Sequence, residues 1–191
     1  MPELRERGVP VEGSCVVLIG MPGSGKSTIG RELSAITGMA WVDTDFLMEA
    51  WWGMPLQAIR DKLGLDGFLQ AEEELVSSLK FFMSIISTGG SVIYSSKAME
   101  HLQKVGRIVY LEVDLNTVRT RLTDENSRGL AKRQGQKIDD IFEERIPLYE
   151  SYAQLTVNTV DNTPQLSASL IADWMKDKGM IPLTCKEDQT A

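Results

Sequence analysis

The eight residues Gly20-Met21-Pro22-Gly23-Ser24-Gly25-Lys26-Ser27 constrain this chain more than any other stretch. They fit the pattern G-x-x-x-x-G-K-[ST] at every position. The spacing has a physical cause. Gly23 and Gly25 allow backbone conformations that turn successive N–H groups inward on a polyphosphate. Lys26 reaches the outer phosphates, and the Ser27 hydroxyl is placed to ligate Mg²⁺. Such a loop needs a strand before it and a helix after it. Cys15-Val16-Val17-Leu18-Ile19 is a short apolar run rich in β-branched residues, the composition of a buried strand. Thr28 to Thr37 carries Ile29, Leu33 and Ile36 at helical spacing, and the amides and dipole at its start favour the same anion. A glycine-rich turn that binds nothing would not need all of these in order.

The rest of the chain alternates between strand-like and helix-like segments. Met39 to Val42 reads as a second strand, followed by Asp43-Thr44-Asp45 and a helical stretch through Trp51. Pro55 suits the first turn of a short helix to Leu63. Asp66 to Lys80 carries Phe68, Leu69, Leu75, Val76 and Leu79 as the apolar members of another helix. Ser84 to Thr88 is the third strand, closed by Gly89-Gly90; Arg107 to Val113 is the fourth, and Leu155 to Asn158 a weaker fifth. Asp139 to Ala153 and Pro164 to Lys178 complete the helices. Five strands separated by helices predict an α/β fold of the P-loop NTPase type, one parallel sheet covered on both faces with right-handed crossovers. The expected organisation is an extended or disordered lead-in over 1–13, a single domain over 14–183 and a polar tail over 184–191. Thr123 to Lys137 is charged and contains Gly129 and Gly135; a connection of that length in a compact domain predicts a mobile lid.

Composition enters as a set of exclusions. With 191 residues the chain can build one full core. Its formal net charge of −7 argues against a general nucleic-acid role, while leaving room for a local basic pocket. Cys15 and Cys185 make neither a metal-ligand spacing nor a disulfide framework, which fits a reducing cytoplasm. His101, the single histidine, lies in the polar stretch Lys97 to Lys104 and reads as a solvated helix residue, so no structural zinc site is expected. No apolar run reaches membrane-spanning length, and Met1 to Gly13 is charged rather than apolar, so neither a span nor a secretory signal is expected. A monomer is the default for one domain of this size.

Further candidates lie at strand ends. Asp43 and Asp45 follow the second strand, where ligands of open α/β sheets bind. One carboxylate is suited to the Mg²⁺ shell and the other to accepting a hydroxyl proton; a helix N-cap is the simpler role for either. Gly89-Gly90 permits close backbone approach by a ligand, or merely a tight turn. Arg128 in the lid candidate and Arg145 in the helix after it are suited to a phosphoryl group or a carboxylate, although most arginines at such places are surface residues. Trp51 and Trp52 are candidates for a pocket wall or for core.

Taken together, these segments resemble the shikimate kinase family of small phosphate-loop kinases. The resemblance covers about Cys15 to Pro164 and rests on the phosphate loop with Thr28, Asp43-Thr44-Asp45, Phe68 with Glu72, Thr88-Gly89-Gly90, and Arg145-Ile146-Pro147-Leu148-Tyr149. It implies an ATP-dependent kinase of a small hydroxylated carboxylic acid, shikimate first, with Mg²⁺ as the metal. It implies that Gly23, Ser24, Gly25, Lys26, Ser27 and Thr28 bind the ATP phosphates, with Ser27 and Asp43 serving the metal. Asp45 would bind the acceptor hydroxyl as the candidate base, Gly89 and Gly90 would offer backbone, and Arg145 would hold the carboxylate. Arg128 matches the lid arginine that closes over ATP, Arg121 one near adenine, and Asn162-Thr163-Pro164 the adenine-side loop.

The chain also departs from that pattern. The arginine the family carries directly after the phenylalanine is Leu69, the third glycine of Gly-Gly-Gly is Ser91, and the proline after the lid arginine is Gly129. Loss of one partner of a buried charge pair costs ~2–5 kcal/mol, which is about thirtyfold to several thousandfold in affinity. Leucine cannot replace a guanidinium fork. Either another cation compensates, with Arg60 the nearest in sequence, or the acceptor is a different acid alcohol. Homoserine is one example, because its ammonium group needs no second arginine. A nucleoside monophosphate kinase and a nucleotide-dependent regulatory module remain as further readings.

Overall fold

The computed structural model describes residues 13–122 and 130–180. Within them lies a five-stranded, wholly parallel sheet. Its strands are β1 (Cys15–Ile19), β2 (Ala40–Asp43), β3 (Ser84–Ser87), β4 (Gly106–Glu112) and β5 (Leu155–Asn158), in the order β2-β3-β1-β4-β5. The helices are α1 (Lys26–Thr37), α2 (Thr44–Trp52), α3 (Leu56–Ser78), α4 (Ser96–Val105), α5 (Leu115–Arg121), α6 (Ile138–Tyr152) and α7 (Pro164–Asp177). The expected α/β class and sheet are thus present.

Two-residue periodicity divides the core. Val16 and Leu18 of β1, Ile85 of β3, and Val109 and Leu111 of β4 pack on one face with Ile29 and Leu33 of α1 and Ile171, Ala172 and Met175 of α7. Val17, Ile19, Ile86, Ile108 and Tyr110 point to the other face, against Met99 and Leu102 of α4, Val118 of α5, and Ile141 and Tyr149 of α6. Both faces are therefore apolar along the central strands, as a parallel sheet requires. A smaller cluster of Met48, Ile59, Phe68 and Ala131 joins α2 and α3 to the segment before α6.

Several boundaries differ from expectation, each for a local reason. The expected short helix and its successor are two helical segments of α3, parted where Gly64 leaves helical geometry (φ 70°, ψ 179°). Pro55 is its N-cap rather than part of its first turn. Helix α5 was not expected; Asp114 starts it by accepting from the Thr117 amide at 2.8 Å. His101 is not simply solvated: it is half-buried in α4, with Nε2 at 2.7 Å from the Leu79 carbonyl. Trp51 is 80% exposed, so it is neither pocket wall nor core, while Trp52 packs on the small α2–α3 cluster. Among the described residues no helix is long and apolar enough to cross a membrane.

Candidate active site

The carboxyl ends of β1, β2 and β3 converge on one cavity of about 630 Å³. Its first wall is the loop after β1. Gly25 caps α1 with φ 95°, a left-handed conformation that a side chain would strain, and this turns the loop into the helix start. Helix α1 begins at Lys26, two residues before the expected Thr28. Lys26 Nζ donates to the carbonyls of Gly20 at 2.8 Å and Met21 at 2.9 Å, which holds the ammonium over the loop. Ser24 is fully buried, and its Oγ has no hydrogen-bond partner. A buried hydroxyl left unmatched beside a cationic nitrogen and a helix N-terminus is a cradle that a phosphate would complete.

Asp43 ties this wall to the next. Its Oδ2 accepts from Ser27 Oγ at 2.6 Å and its Oδ1 from the Asp45 amide at 3.0 Å. The second bond makes Asp43 the N-cap of α2, so the capping role falls on the same carboxylate that holds the Ser27 hydroxyl. Asp45, the second residue of α2, lines the cavity. Burial, and then the charge of Asp43, raise its pKa to about 6, against the opposing pull of Lys26.

The acceptor end is built by β3, α3 and α6. The Gly89 amide donates to Thr44 Oγ1 at 3.0 Å. A methyl group at Gly89 would overlap Glu72 Oε1 and come within 2.8 Å of Asp45 Oδ1, so the site requires glycine there. Arg145 is 1% exposed. Its Nε donates to Tyr94 Oη at 3.1 Å and its Nη2 to the Ala131 carbonyl at 2.7 Å, while Nη1 lies beside Gly90. Tyr149, from the same helix, donates to the Gly90 carbonyl at 2.6 Å and fixes the strand end against α6.

The expected site residues Gly23, Ser24, Gly25, Lys26, Ser27, Thr28, Asp45, Gly89, Gly90, Arg121, Arg145, Asn162 and Pro164 all line this one cavity. Asp43 stands behind Ser27 rather than on the wall. Arg121 bridges the two ends of the nucleotide side, donating to the Gly23 carbonyl at 3.0 Å and the Thr159 carbonyl at 3.1 Å. Arg128 and the first half of the lid candidate lie outside the described residues. Leu130 and Ala131, from the segment that follows, form part of the wall. Arg60 does not supply a cation there: it is not on the wall, and its Nη2 donates to the Lys132 carbonyl at 2.9 Å.

Sequence reasoning did not give a role to Glu72, which is buried and accepts from Ser91 Oγ at 2.6 Å. The two residues are far apart in sequence, and only the fold brings α3 against the end of β3. Gly30 was also missed. A methyl group there would run into Trp41 and Ser87, and Ser87 Oγ in turn donates to the Lys26 carbonyl at 2.9 Å, so Gly30 lets α1 seat the phosphate loop close to the sheet.

Comparison with known proteins gives a consistent picture. A family model described as Shikimate kinase matches residues 22–176. A shikimate kinase of Clostridium botulinum (strain 657 / Type Ba4) is 36% identical over 169 residues, covering 86% of this chain and 98% of that protein. The structure of a shikimate kinase from Acinetobacter baumannii in complex with shikimate superposes with a TM-score of 0.78 at 26% identity, covering 93% of this chain and 98% of that one. The Aquifex aeolicus shikimate kinase structure gives 0.74 at 28% identity, covering 86% and 98%.

Proposed function

The chain belongs to the shikimate kinase family, and we propose on that footing that it transfers the γ-phosphoryl group of ATP to a hydroxyl of shikimate, giving shikimate 3-phosphate. One observation carries the reading. The phosphate cradle of Ser24, Lys26 and Ser27 and the pair Asp45 and Arg145 line the same cavity, so donor and acceptor meet there.

The geometry of the described residues, with the family resemblance for Arg128, supports the following roles. Lys26 and the loop amides bind the ATP phosphates. Ser27, backed by Asp43, would hold Mg²⁺. When bound, that ion neutralises charge between the outer phosphates. Three clustered carboxylates or imidazoles are not needed, since most of its ligands come from phosphate oxygens and water. Asp45 accepts the proton of the attacking hydroxyl; with a pKa of about 6 it is mostly ionised at neutral pH yet basic enough to take a proton. Arg145 holds the substrate carboxylate through Nη1, while Gly89 and Gly90 bring backbone against the ring. Arg121, Asn162 and Pro164 flank the adenine side, and Arg128 closes over ATP from the lid. Catalysis is then positioning and charge neutralisation. The enzyme works as a cytoplasmic monomer.

A coupled assay of ADP release with Mg·ATP and shikimate tests this. Shikimate-dependent release supports it. Preferential turnover of a nucleoside monophosphate, or ATP binding that no acceptor converts into ADP release, would displace it.

A further inference from the structure

We propose that the acceptor site also takes a hydroxy-α-amino acid, whose ammonium group is seated at Ser91 with the Glu72 carboxylate directly behind it. The proposal rests on the kinase reading above and names a second substrate class for the same site.

The charge inventory is its basis. Two carboxylates flank Gly89: Glu72 Oε1 and Asp45 Oδ1 both lie within contact of the space a side chain there would fill. Arg145 is the cation that the described residues place on the acceptor wall, and Tyr94 and the Ala131 carbonyl already occupy two of its three nitrogens. Glu72 is buried, and among the described residues no guanidinium or ammonium forms an ion pair with it; its partner is a hydroxyl, Ser91 Oγ. Beside that pair stands Leu69, apolar, in a small cavity of about 160 Å³ shared by Leu69, Glu72, Ser91 and Tyr94. On the acceptor wall itself two carboxylates thus face one guanidinium, with Lys26 acting on both from the phosphate loop, where it donates to the carbonyls of Gly20 and Met21. An acceptor bearing only a carboxylate adds to that surplus, whereas one bearing a carboxylate and an ammonium brings its own compensation.

The geometry gives the ammonium a seat. Ser91 lines the main cavity as well as the small one. Its hydroxyl proton is committed to Glu72 Oε2, which leaves the oxygen lone pairs to accept from a cationic N–H. Arg145 Nη1 remains for the carboxylate, and Asp45 for the hydroxyl. Burial raises the Glu72 pKa to about 7; its Ser91 hydrogen bond, Arg145 and Lys26 oppose the rise and Asp45 adds to it. An ammonium at Ser91 would favour the ionised carboxylate and be held by it.

The test uses the full chain with Mg·ATP and three acceptors: L-homoserine, 4-hydroxybutyrate (the same primary alcohol and carboxylate without the ammonium) and shikimate. The expected kcat/KM for homoserine exceeds that for 4-hydroxybutyrate at least tenfold. Glu72→Gln, which keeps an acceptor for Ser91 but removes the charge, is expected to cut homoserine kcat/KM about tenfold and to leave the other two within about threefold. Homoserine no better than 4-hydroxybutyrate in the unaltered enzyme overturns the proposal whatever the variant does. So does an equal loss on all three acceptors in Glu72→Gln, which marks a purely structural role. Turnover of shikimate without homoserine sinks the proposal and leaves the family activity standing; turnover of homoserine without shikimate supports the proposal and removes shikimate as substrate. Silence with all three rejects both.

Discussion

Asp45→Asn should make the protein more stable and less active, by amounts that both grow as the pH rises. The carboxyl sits among Asp43, Glu49 and the cavity wall, and its pKa is raised from 3.8 to about 6. A carboxyl whose folded pKa lies above its unfolded one keeps its proton in the folded state where the unfolded chain has lost it. Ionisation therefore costs stability, fully above pH 6 and hardly at all below 3.8. Two pK units correspond to ~3 kcal/mol. Asp45 opens onto cavity water, so about half of that, ~1–2 kcal/mol, is the expectation. Urea titrations of both proteins at pH 4 and pH 8 should give coincident midpoints at the lower pH and a higher midpoint for Asp45→Asn at the upper one. In the same pair, kcat should fall ~10²–10⁴-fold, the usual worth of a positioned base, with ATP affinity little changed. For the unaltered enzyme, kcat/KM for the acceptor should rise with pH through about 6 as the base of the unliganded site ionises. A variant less stable at pH 8, or one retaining full kcat, would refute the argument that this carboxylate is held at a cost for the sake of the reaction.

Other outcomes follow from the same geometry. Lys26→Ala should abolish ATP-dependent turnover while circular dichroism stays unchanged, because water in the cavity can satisfy the loop carbonyls of Gly20 and Met21 to which the side chain donates. Gly89→Ala places a methyl group on Glu72 Oε1 and Asp45 Oδ1 and should raise the acceptor KM by about tenfold or more, measured by initial rates, with ATP KM nearly constant. Ile171→Ala removes a fully buried side chain between α7 and the sheet. It should lower unfolding free energy by ~2–5 kcal/mol in urea, with kcat intact in the folded fraction.

How much the sequence reveals depends on whether neighbours in space are also neighbours along the chain. The phosphate loop is legible because β1, the glycines, Lys26, Ser27 and α1 are consecutive and each obeys a local rule. Asp45 and Arg145 were legible as candidates through motif and resemblance, but not their partners. That Ala131 would occupy one nitrogen of Arg145, or that Arg60 would turn to Lys132, follows from where the lid segment re-enters the fold. The Glu72–Ser91 pair was hidden for the same reason: the two positions were visible as a family glutamate and a departure, and only their 2.6 Å separation joins them. The break inside α3 was legible too, since Gly64 falls between the two expected helices and leaves helical geometry there. Trp51 misled because large aromatic side chains are usually buried, whereas this one follows the exposed face of α2.

The two oxygens of Asp43 face different walls of the cavity: one steadies the hydroxyl of Ser27, the other anchors the first turn that carries Asp45. A single short side chain thus acts as a gauge block, setting the span between the Ser27 hydroxyl and the Asp45 carboxylate. Lengthening it by one methylene would disturb both alignments together, so any defect at this position reports a lost spacing as much as a lost charge.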